Sequence, residues 1–199
     1  PERSEFKLHI GNQIHDINLP LAGEHNVNNA LAAAACAHAL NIEVSDIVIG
    51  LENARPAKGR LNSQILGMHR LIDDTYNANP HSVRAAAKVL AAQTGTQVMV
   101  LGDIGELGEA AISEHQSLGR TIATTGINVL LCVGEYAPYT VAGAQEVSDI
   151  SAHAFTDKDS LLQYLQPYLQ AQQAKPCTVL FKGSRSMGME TLIHALVEE

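Results

Sequence analysis

The chain has 199 residues, of which 46% are hydrophobic and 17% charged, as is typical of a soluble globular protein. Its 21 acidic and 13 basic residues give a net charge of -8, and because no basic stripe is present we expect no nucleic-acid partner. The longest apolar run, residues 30–37, is too short to cross a bilayer, and no secretory signal is recognisable. The three cysteines form no CxxC pair, which predicts reduced, buried thiols in a cytoplasmic protein.

The first 57 residues predict a hairpin followed by two helices. Residues 5–19 alternate apolar and polar side chains around Gly11-Asn12, the pattern of two antiparallel strands. An alanine-rich helix follows, with Asn41 as its stop, and a second short helix begins with Ser45 as its cap. Because a two-stranded ribbon is marginal alone, this region resembles the end of a larger domain.

Residues 54–63 are short, basic and contain both proline and glycine, which predicts a domain boundary. We place it between residues 57 and 58. The chain starts at Pro1 without a methionine, which suggests part of a longer protein.

After residue 60, apolar runs alternate with helical stretches. The runs are 64–72, 98–101, 129–133, 152–155 and 178–181, the helical stretches are 80–93, 110–125, 157–170 and 186–197, and 141–147 fits neither. This alternation predicts an α/β domain with a mostly parallel sheet covered by helices on both faces.

Residues 71–89 contain the most informative connection between a strand and a helix. Asn79 and Pro80 suit the cap and the first position of a helix. The turn before them carries five polar or aromatic residues, more side-chain chemistry than a connection needs: Asp73, Asp74, Thr75, Tyr76 and Asn77. Asp74 is suited either to accept hydrogen bonds from ribose hydroxyls or simply to cap the turn, and the residue type does not distinguish these two roles.

Other polar groups follow the remaining strands, and in a parallel sheet all of these strand ends meet at one ligand-binding edge. Asp103 and Glu106 suit a cation, an amine, a ribose or plain solvation. A predicted strand passes to a predicted helix at Lys182, Ser184 and Arg185. This position favours an anionic ligand, because a helix start offers free N–H groups, arginine offers a planar guanidinium and lysine offers an ammonium group. Solvated, capping side chains are the alternative.

His25, Asn26 and Asn29 flank the start of the first helix. Asparagine can read the edge of adenine, because its amide both donates and accepts hydrogen bonds. It is an equally good helix cap, and the sequence alone favours the cap.

Several nucleotide and hydrolase motifs are absent from this sequence. The glycines 102, 105 and 108 have the wrong spacing for a dinucleotide site, no GxSxG occurs, and Gly-Lys is found nowhere in the chain. No histidine pair has metal-ligand spacing. A triphosphate-binding loop is therefore not encoded in these residues.

Five segments in this order resemble the Mur ligase family over nearly the whole chain: GEHNVNNALAAAA (23–35), PAKGRL (56–61), DDTYNANPHSVRAA (73–86), LGDIGELG (101–108) and FKGSRSMGME (181–190). The forms TYNANP (75–80) and KGSRSMGME (182–190) resemble the branch that joins D-Ala-D-Ala to UDP-N-acetylmuramoyl-tripeptide. The resemblance implies the end of a central ATP-binding domain (1–57), then a Rossmann-like ligase domain (58–199). The P-loop and the Mg²⁺ ligands of the family would lie upstream.

The resemblance also implies roles for particular residues. On the nucleotide side, ATP would contact His25, Asn26, Asn29, Arg60, Asp74, Tyr76, Asn77 and Asn79. On the side of the peptide substrates lie Asp103, Glu106, Lys182, Ser184 and Arg185. No catalytic residue is assigned. The full protein would form an amide through an acyl phosphate, as a monomer without membrane insertion, and this chain alone would be inactive.

Two other classes of protein fit parts of the pattern. One alternative is a non-catalytic nucleotide- or ligand-binding module of flavodoxin-like topology, such as a receiver domain with Asp103 as the phospho-acceptor. It explains the acidic edge but not the segments around Asn26, Arg60 and Lys182. An NAD-dependent enzyme is disfavoured by the glycine spacing.

Overall fold

The computed structural model describes residues 3–21, 23–55, 58–172 and 175–198 and leaves the side chain of His25 undescribed. Pro56 and Ala57, within the predicted boundary segment, therefore lie outside the described residues. The chain forms two compact units, residues 1–57 and 58–199. None of the helices within the described ranges is long and apolar enough to cross a membrane.

The first unit contains the predicted hairpin and both helices. Strands β1 (Ser4–Ile10) and β2 (Gln13–Leu19) pair antiparallel, and helices α1 (Glu24–Ala39) and α2 (Val44–Glu52) follow. A small core joins them, formed by Leu8, Ile17, Leu19, Ala30, Ala34, Ile47 and Leu51. Asn41, in the left-handed conformation (φ 58°), follows the end of α1 as predicted.

The predictions for Ser45 and Cys36 in this unit are wrong. Ser45 is not the cap of α2, because the N–H groups of Asp46 and Ile47 already donate to the carbonyl oxygen of Glu43, which starts the helix earlier. The thiol of Cys36 is exposed rather than buried, unlike those of Cys132 and Cys177. Among the described residues, Ala30 and Ala34 direct α1 to the core of the first unit, and Cys36 lies about 200° around the helix from Ala34.

The second unit is built on a six-stranded sheet of order β3-β4-β8-β5-β6-β7. The strands are β3 (Asn62–Leu66), β4 (His69–Asp74), β5 (Thr96–Gly102), β6 (Val129–Val133), β7 (Ser151–Phe155) and β8 (Cys177–Lys182). All neighbours are parallel except β3 and β4. The run 64–72, predicted as one strand, is divided into two by a turn at Gly67, whose φ of 57° suits glycine.

Helices cover both faces of this sheet, which confirms the predicted fold class. Helices α3 (Pro80–Ala91), α4 (Ala111–Ala123) and α5 (Ala137–Gln145) pack on one face. Helices α6 (Lys158–Ala171) and α7 (Glu190–Val197) pack on the other. The run 141–147 fits neither pattern in the sequence. Its first five residues, 141–145, form the end of α5.

The start of α3 follows from its sequence. Asn79 Oδ1 accepts the N–H of Ser82 at 2.8 Å, and Ser82 Oγ accepts the N–H of Asn79 at 3.1 Å, so each satisfies a backbone group that the helix leaves open. Pro80 is the first helical residue. The predicted cap is confirmed, and it fixes where the preceding polar turn ends.

The position of β8 creates a topological switch point at the carboxyl edge of the sheet. This last strand lies between β4 and β5, whose following helices pack on one face, whereas α7, which follows β8, packs on the other. Chain segments therefore leave neighbouring strands in opposite directions, the arrangement in which α/β sheets bind ligands.

Candidate functional site

The loops that follow β4, β5 and β8 meet at this edge. Lys182 stands opposite both Asp74 in β4 and Leu101 in β5. The N–H of Ser184 donates to the carbonyl oxygen of Asp103 at 3.0 Å. Asp74, Asp103 and Lys182, distant in sequence, therefore lie on one edge, as parallel pairing predicts.

An enclosed ion pair connects β4 with β8. Lys182 Nζ donates to Asp74 Oδ2 at 2.7 Å and to the carbonyl oxygen of Asn77 at 2.9 Å, and the two side chains are 3% and 13% exposed. Burial raises the pKa of Asp74 above its ordinary value, whereas Lys182 and the N–H of Leu61 oppose that rise. The pair is thus a fixed structural element rather than two solvated charges.

Arg60 and Tyr76, which are both predicted to contact the nucleotide, contact each other. The guanidinium carbon of Arg60 lies 4.8 Å from the centre of the Tyr76 ring, a cation–π distance. The N–H of Tyr76 donates to the carbonyl oxygen of Gly59 at 2.9 Å. The start of the second unit therefore packs on the β4–α3 loop, and Tyr76 remains 49% exposed.

Two residues at this edge have strained backbones. Leu61 (φ 53°) and Glu106 (φ 62°) are both in the left-handed conformation that non-glycine residues rarely adopt. Such strain costs on the order of 1–3 kcal/mol per residue and concentrates at functional sites. Leu61 was not predicted from the sequence, and Glu106 is exposed in the loop after β5.

The carboxylate of Asp103 binds backbone groups of the protein. Its oxygens accept the N–H groups of Glu135 at 2.7 Å and Tyr136 at 3.1 Å. Gly134, at φ 127°, allows this approach, because a Cβ there would overlap the carboxylate. Burial raises the pKa of Asp103, against the effect of these N–H groups. Asp103 thus joins the β5–α4 and β6–α5 loops, and its predicted contact with substrate stays a prediction.

The loop after β5 is further held by two buried side chains. His115 Nε2 accepts the N–H of Ile104 at 3.1 Å, so its proton is on Nδ1, which donates to the carbonyl oxygen of Ala111 at 2.7 Å. Ser184 Oγ accepts the N–H of Gly105. His115 was missed because a lone histidine within a helix carries no positional signal in sequence.

The loop after β8 does not start a helix at residue 186 as predicted. A short 3-10 turn, Arg185–Met187, ends at Gly188 in the left-handed conformation, and α7 begins only at Glu190. The predicted helix start is therefore wrong, whereas the anionic ligand predicted for this segment stays a prediction. Glu190, in the first turn of α7, pairs through its carboxylate with Arg185 at 2.9 Å. Arg185 nevertheless keeps 62% of its side chain exposed.

Lys158, which the sequence did not single out, stabilises this loop. Its Nζ donates to the carbonyl oxygens of Met187 and Gly188 at 3.0 and 3.2 Å and to Thr191 Oγ1 at 2.9 Å. An isolated lysine at a helix start gives no sequence signal for such a role.

The remaining candidates belong to the first unit. Asn26 and Asn29 lie inside α1, which begins at Glu24 without a side-chain cap, so the interpretation of these asparagines as caps is wrong. Asn29 is exposed. His25 belongs to the same helix, but its side chain lies outside the described residues. Contact of these residues with adenine stays a prediction.

Within the described ranges, no three His, Cys, Asp or Glu side chains converge to hold a metal ion. Mg²⁺ is usually bound through one or two carboxylates together with substrate phosphates and water, so the expected use of Mg²⁺ stays a prediction.

The sequence of this chain is similar to those of known ligases. The sequence profile of the Mur ligase glutamate ligase domain matches residues 59–185. Among curated relatives, the UDP-N-acetylmuramoyl-tripeptide–D-alanyl-D-alanine ligases of Haemophilus influenzae and Escherichia coli are 39% and 38% identical, over 92% and 98% of this chain. These alignments cover 40% and 42% of the relatives, so the chain spans about two fifths of their length.

Solved structures of ligases are also similar to this chain. A crystal structure of MurF from Acinetobacter baumannii superposes with a TM-score of 0.91 at 46% identity, covering all of this chain and 43% of that one. MurF from Thermotoga maritima, solved in complex with ADP, shares the fold with a TM-score of 0.75 at 20% identity, over 100% of this chain and 44% of its own.

Proposed function

This chain belongs to the Mur ligase family, and we propose that it is part of a ligase joining D-Ala-D-Ala to UDP-N-acetylmuramoyl-tripeptide. The observation that carries this proposal is the identity of 38–39% with ligases of that name over nearly the whole chain. The meeting of three polar loops at one sheet edge supports it, because a ligase must hold several charged substrates together.

The proposed reaction activates a carboxylate with ATP. The terminal carboxylate of the tripeptide attacks the γ-phosphorus, which gives an acyl phosphate and ADP. The amine of D-Ala-D-Ala then attacks the acyl carbon, and the tetrahedral intermediate expels phosphate as the amide forms. Water must be excluded from the acyl phosphate, which suits closure of one domain on another. When bound, Mg²⁺ would neutralise phosphate charge, held by groups outside the described residues.

On the nucleotide side, we assign Arg60 to the phosphates or ribose and Asp74 to the ribose hydroxyls. Arg60 has a planar fork suited to phosphate, held over the ring of Tyr76. Asp74 accepts Lys182 Nζ through Oδ2, and its carboxylate suits a hydroxyl donor. Tyr76, Asn77 and Asn79 complete this side, and Asn29 with Asn26 and His25 would meet adenine.

On the side of the peptide substrates, we assign Arg185 as the main anion-binding group. Its guanidinium is mostly exposed and could exchange Glu190 for a substrate carboxylate. Glu106, exposed in the neighbouring loop, suits an ammonium group. Asp103 and Ser184 shape this side through their hydrogen bonds to the backbone.

The first unit is proposed to be the end of a central ATP-binding domain. Apolar side chains on α1 and just after it are exposed, Leu31 by 41% and Leu40 by 75%, alongside several alanines. An exposed apolar helix face of this kind is expected to pack against further protein.

Phosphate release by the complete ligase that contains this chain tests the proposed function. We expect release that requires ATP, the UDP-tripeptide and D-Ala-D-Ala together, and at least about tenfold less with D-alanine alone, because the dipeptide carboxylate would lose its contact. The 199-residue chain alone should show no turnover. Turnover by this chain, or nucleotide binding without turnover by the complete protein, would contradict the proposal, and the latter would favour a binding module.

A further inference from the structure

The enclosed position of Lys182 separates it from the other cationic group of its loop. Lys182 is 3% exposed, whereas Arg185, three residues later, is 62% exposed. The ammonium group donates to Asp74 Oδ2, at the end of β4, and to the carbonyl oxygen of Asn77, in the β4–α3 loop. A substrate anion arriving from solvent would find this charge covered and already paired.

We propose that Lys182 is a positioning residue for the nucleotide, which acts through Asp74 and the β4–α3 loop and does not bind the dipeptide. This inference rests on the proposed function, in which Asp74 contacts the ribose. It reverses the side of the site to which the sequence motif assigns Lys182.

The geometry gives this role a physical basis. Asp74 is held by Lys182 at one oxygen and by the N–H of Leu61, so its carboxylate points in one direction. Without the ammonium group, a nearly buried carboxylate would lose its counter-charge and would have to rotate, bind water or take up a proton. Each of these changes weakens a hydrogen bond from a ribose hydroxyl.

A second connection joins the two loops. Asn77 Oδ1 accepts the N–H groups of Ala78 at 2.9 Å and of Arg185 at 3.3 Å. Together with the Lys182 bonds, this attaches the start of the β8–α7 loop to the β4–α3 loop. The same short segment thus directs Lys182 inward to the nucleotide side and Arg185 outward to the dipeptide side.

Steady-state kinetics of Lys182→Met in the complete ligase test this assignment. Because Met has a similar length without the charge, we expect KM for ATP to rise about tenfold or more, while KM for D-Ala-D-Ala changes less than about twofold. Lys158→Met is the matched control, since Lys158 stabilises the same β8–α7 loop from its other side without touching the β4–α3 loop. Its KM for ATP should stay near the wild-type value.

Two results would overturn the assignment: a rise in KM for the dipeptide with KM for ATP unchanged in Lys182→Met, or an equal ATP effect in Lys158→Met. If Lys182→Met does not fold, the double variant Asp74→Asn with Lys182→Met removes both charges and should fold. Its KM for D-Ala-D-Ala should equal that of Asp74→Asn alone, because Lys182 acts through Asp74 and the β4–α3 loop and does not bind the dipeptide. A further rise in KM for the dipeptide would overturn the inference.

The wild-type enzyme separates the two proposals. Without phosphate release that depends on D-Ala-D-Ala, the proposed function is wrong and this inference is overturned with it. If the wild-type enzyme turns over normally but Lys182→Met raises KM for D-Ala-D-Ala and leaves KM for ATP unchanged, only the proposed role of Lys182 is wrong.

Discussion

Substituting Gly119 with valine is expected to lower the free energy of unfolding of the second unit by about 3 kcal/mol or more. Gly119 in α4 and Gly143 in α5 lie where the two helices cross with their backbones in contact. A Cβ at Gly119 would overlap the carbonyl oxygen of Thr140 and lie 2.8 Å from the N of Ala144. Backbone atoms cannot rotate away as a side chain can, so the helices must separate. Urea unfolding of the chain measures the change.

Alanine substitutions provide a sharper control for this prediction. Gly50, within α2, has open space around its Cβ position, so Gly50→Ala should stabilise the first unit by up to about 1 kcal/mol through helix propensity. Gly119→Ala gains the same propensity but adds the overlap with Thr140, and it should destabilise. If both alanine variants stabilise the chain, the close crossing of α4 and α5 is wrong.

Substituting Asp103 with alanine is expected to destabilise the second unit by about 2–4 kcal/mol, because two backbone N–H groups would lose a charged acceptor. Glu135 and Tyr136 lie directly before α5, so the hydrogen bonds from their N–H groups to the Asp103 carboxylate hold the start of this helix in position. The measurement is again urea unfolding, followed by kinetics of the complete ligase under conditions where the variant stays folded.

Glu106→Ala is the matched control for Asp103, since it removes a carboxylate from the same loop where the side chain is exposed. Its effect on stability should stay within about 0.5 kcal/mol. A stable Asp103→Ala enzyme with a raised KM for D-Ala-D-Ala would mean that Asp103 binds substrate directly, as the family resemblance implies, and would contradict the structural role.

Much of the fold could be predicted because its signals are local. Alternation around Gly11-Asn12 encodes the first hairpin, and Asn79-Pro80 encodes the start of α3. Runs of apolar residues encode the buried strands β5, β6 and β8. Parallel pairing then requires that the strand ends share one edge, which is why the candidate residues could be grouped before their contacts were known.

The contacts at the site could not be predicted, because they depend on which strands become neighbours. Lys182 and Asp74 are 108 residues apart, and only the insertion of β8 between β4 and β5 brings them together. The start of α7 was misplaced because Gly188 turns the backbone left-handed after Arg185–Met187, and a glycine in the sequence does not reveal its φ. Lys158 and His115 act through backbone groups, for which no motif exists.

Hydrogen exchange of the complete ligase tests the central claim, that the carboxyl edge of this sheet faces the nucleotide. With a non-hydrolysable ATP analogue bound, the account predicts slower exchange at residues 75–79, between β4 and α3. Residues 124–128, at the amino end of β6, should be unchanged. Equal protection of both segments, or none at residues 75–79, would contradict the account.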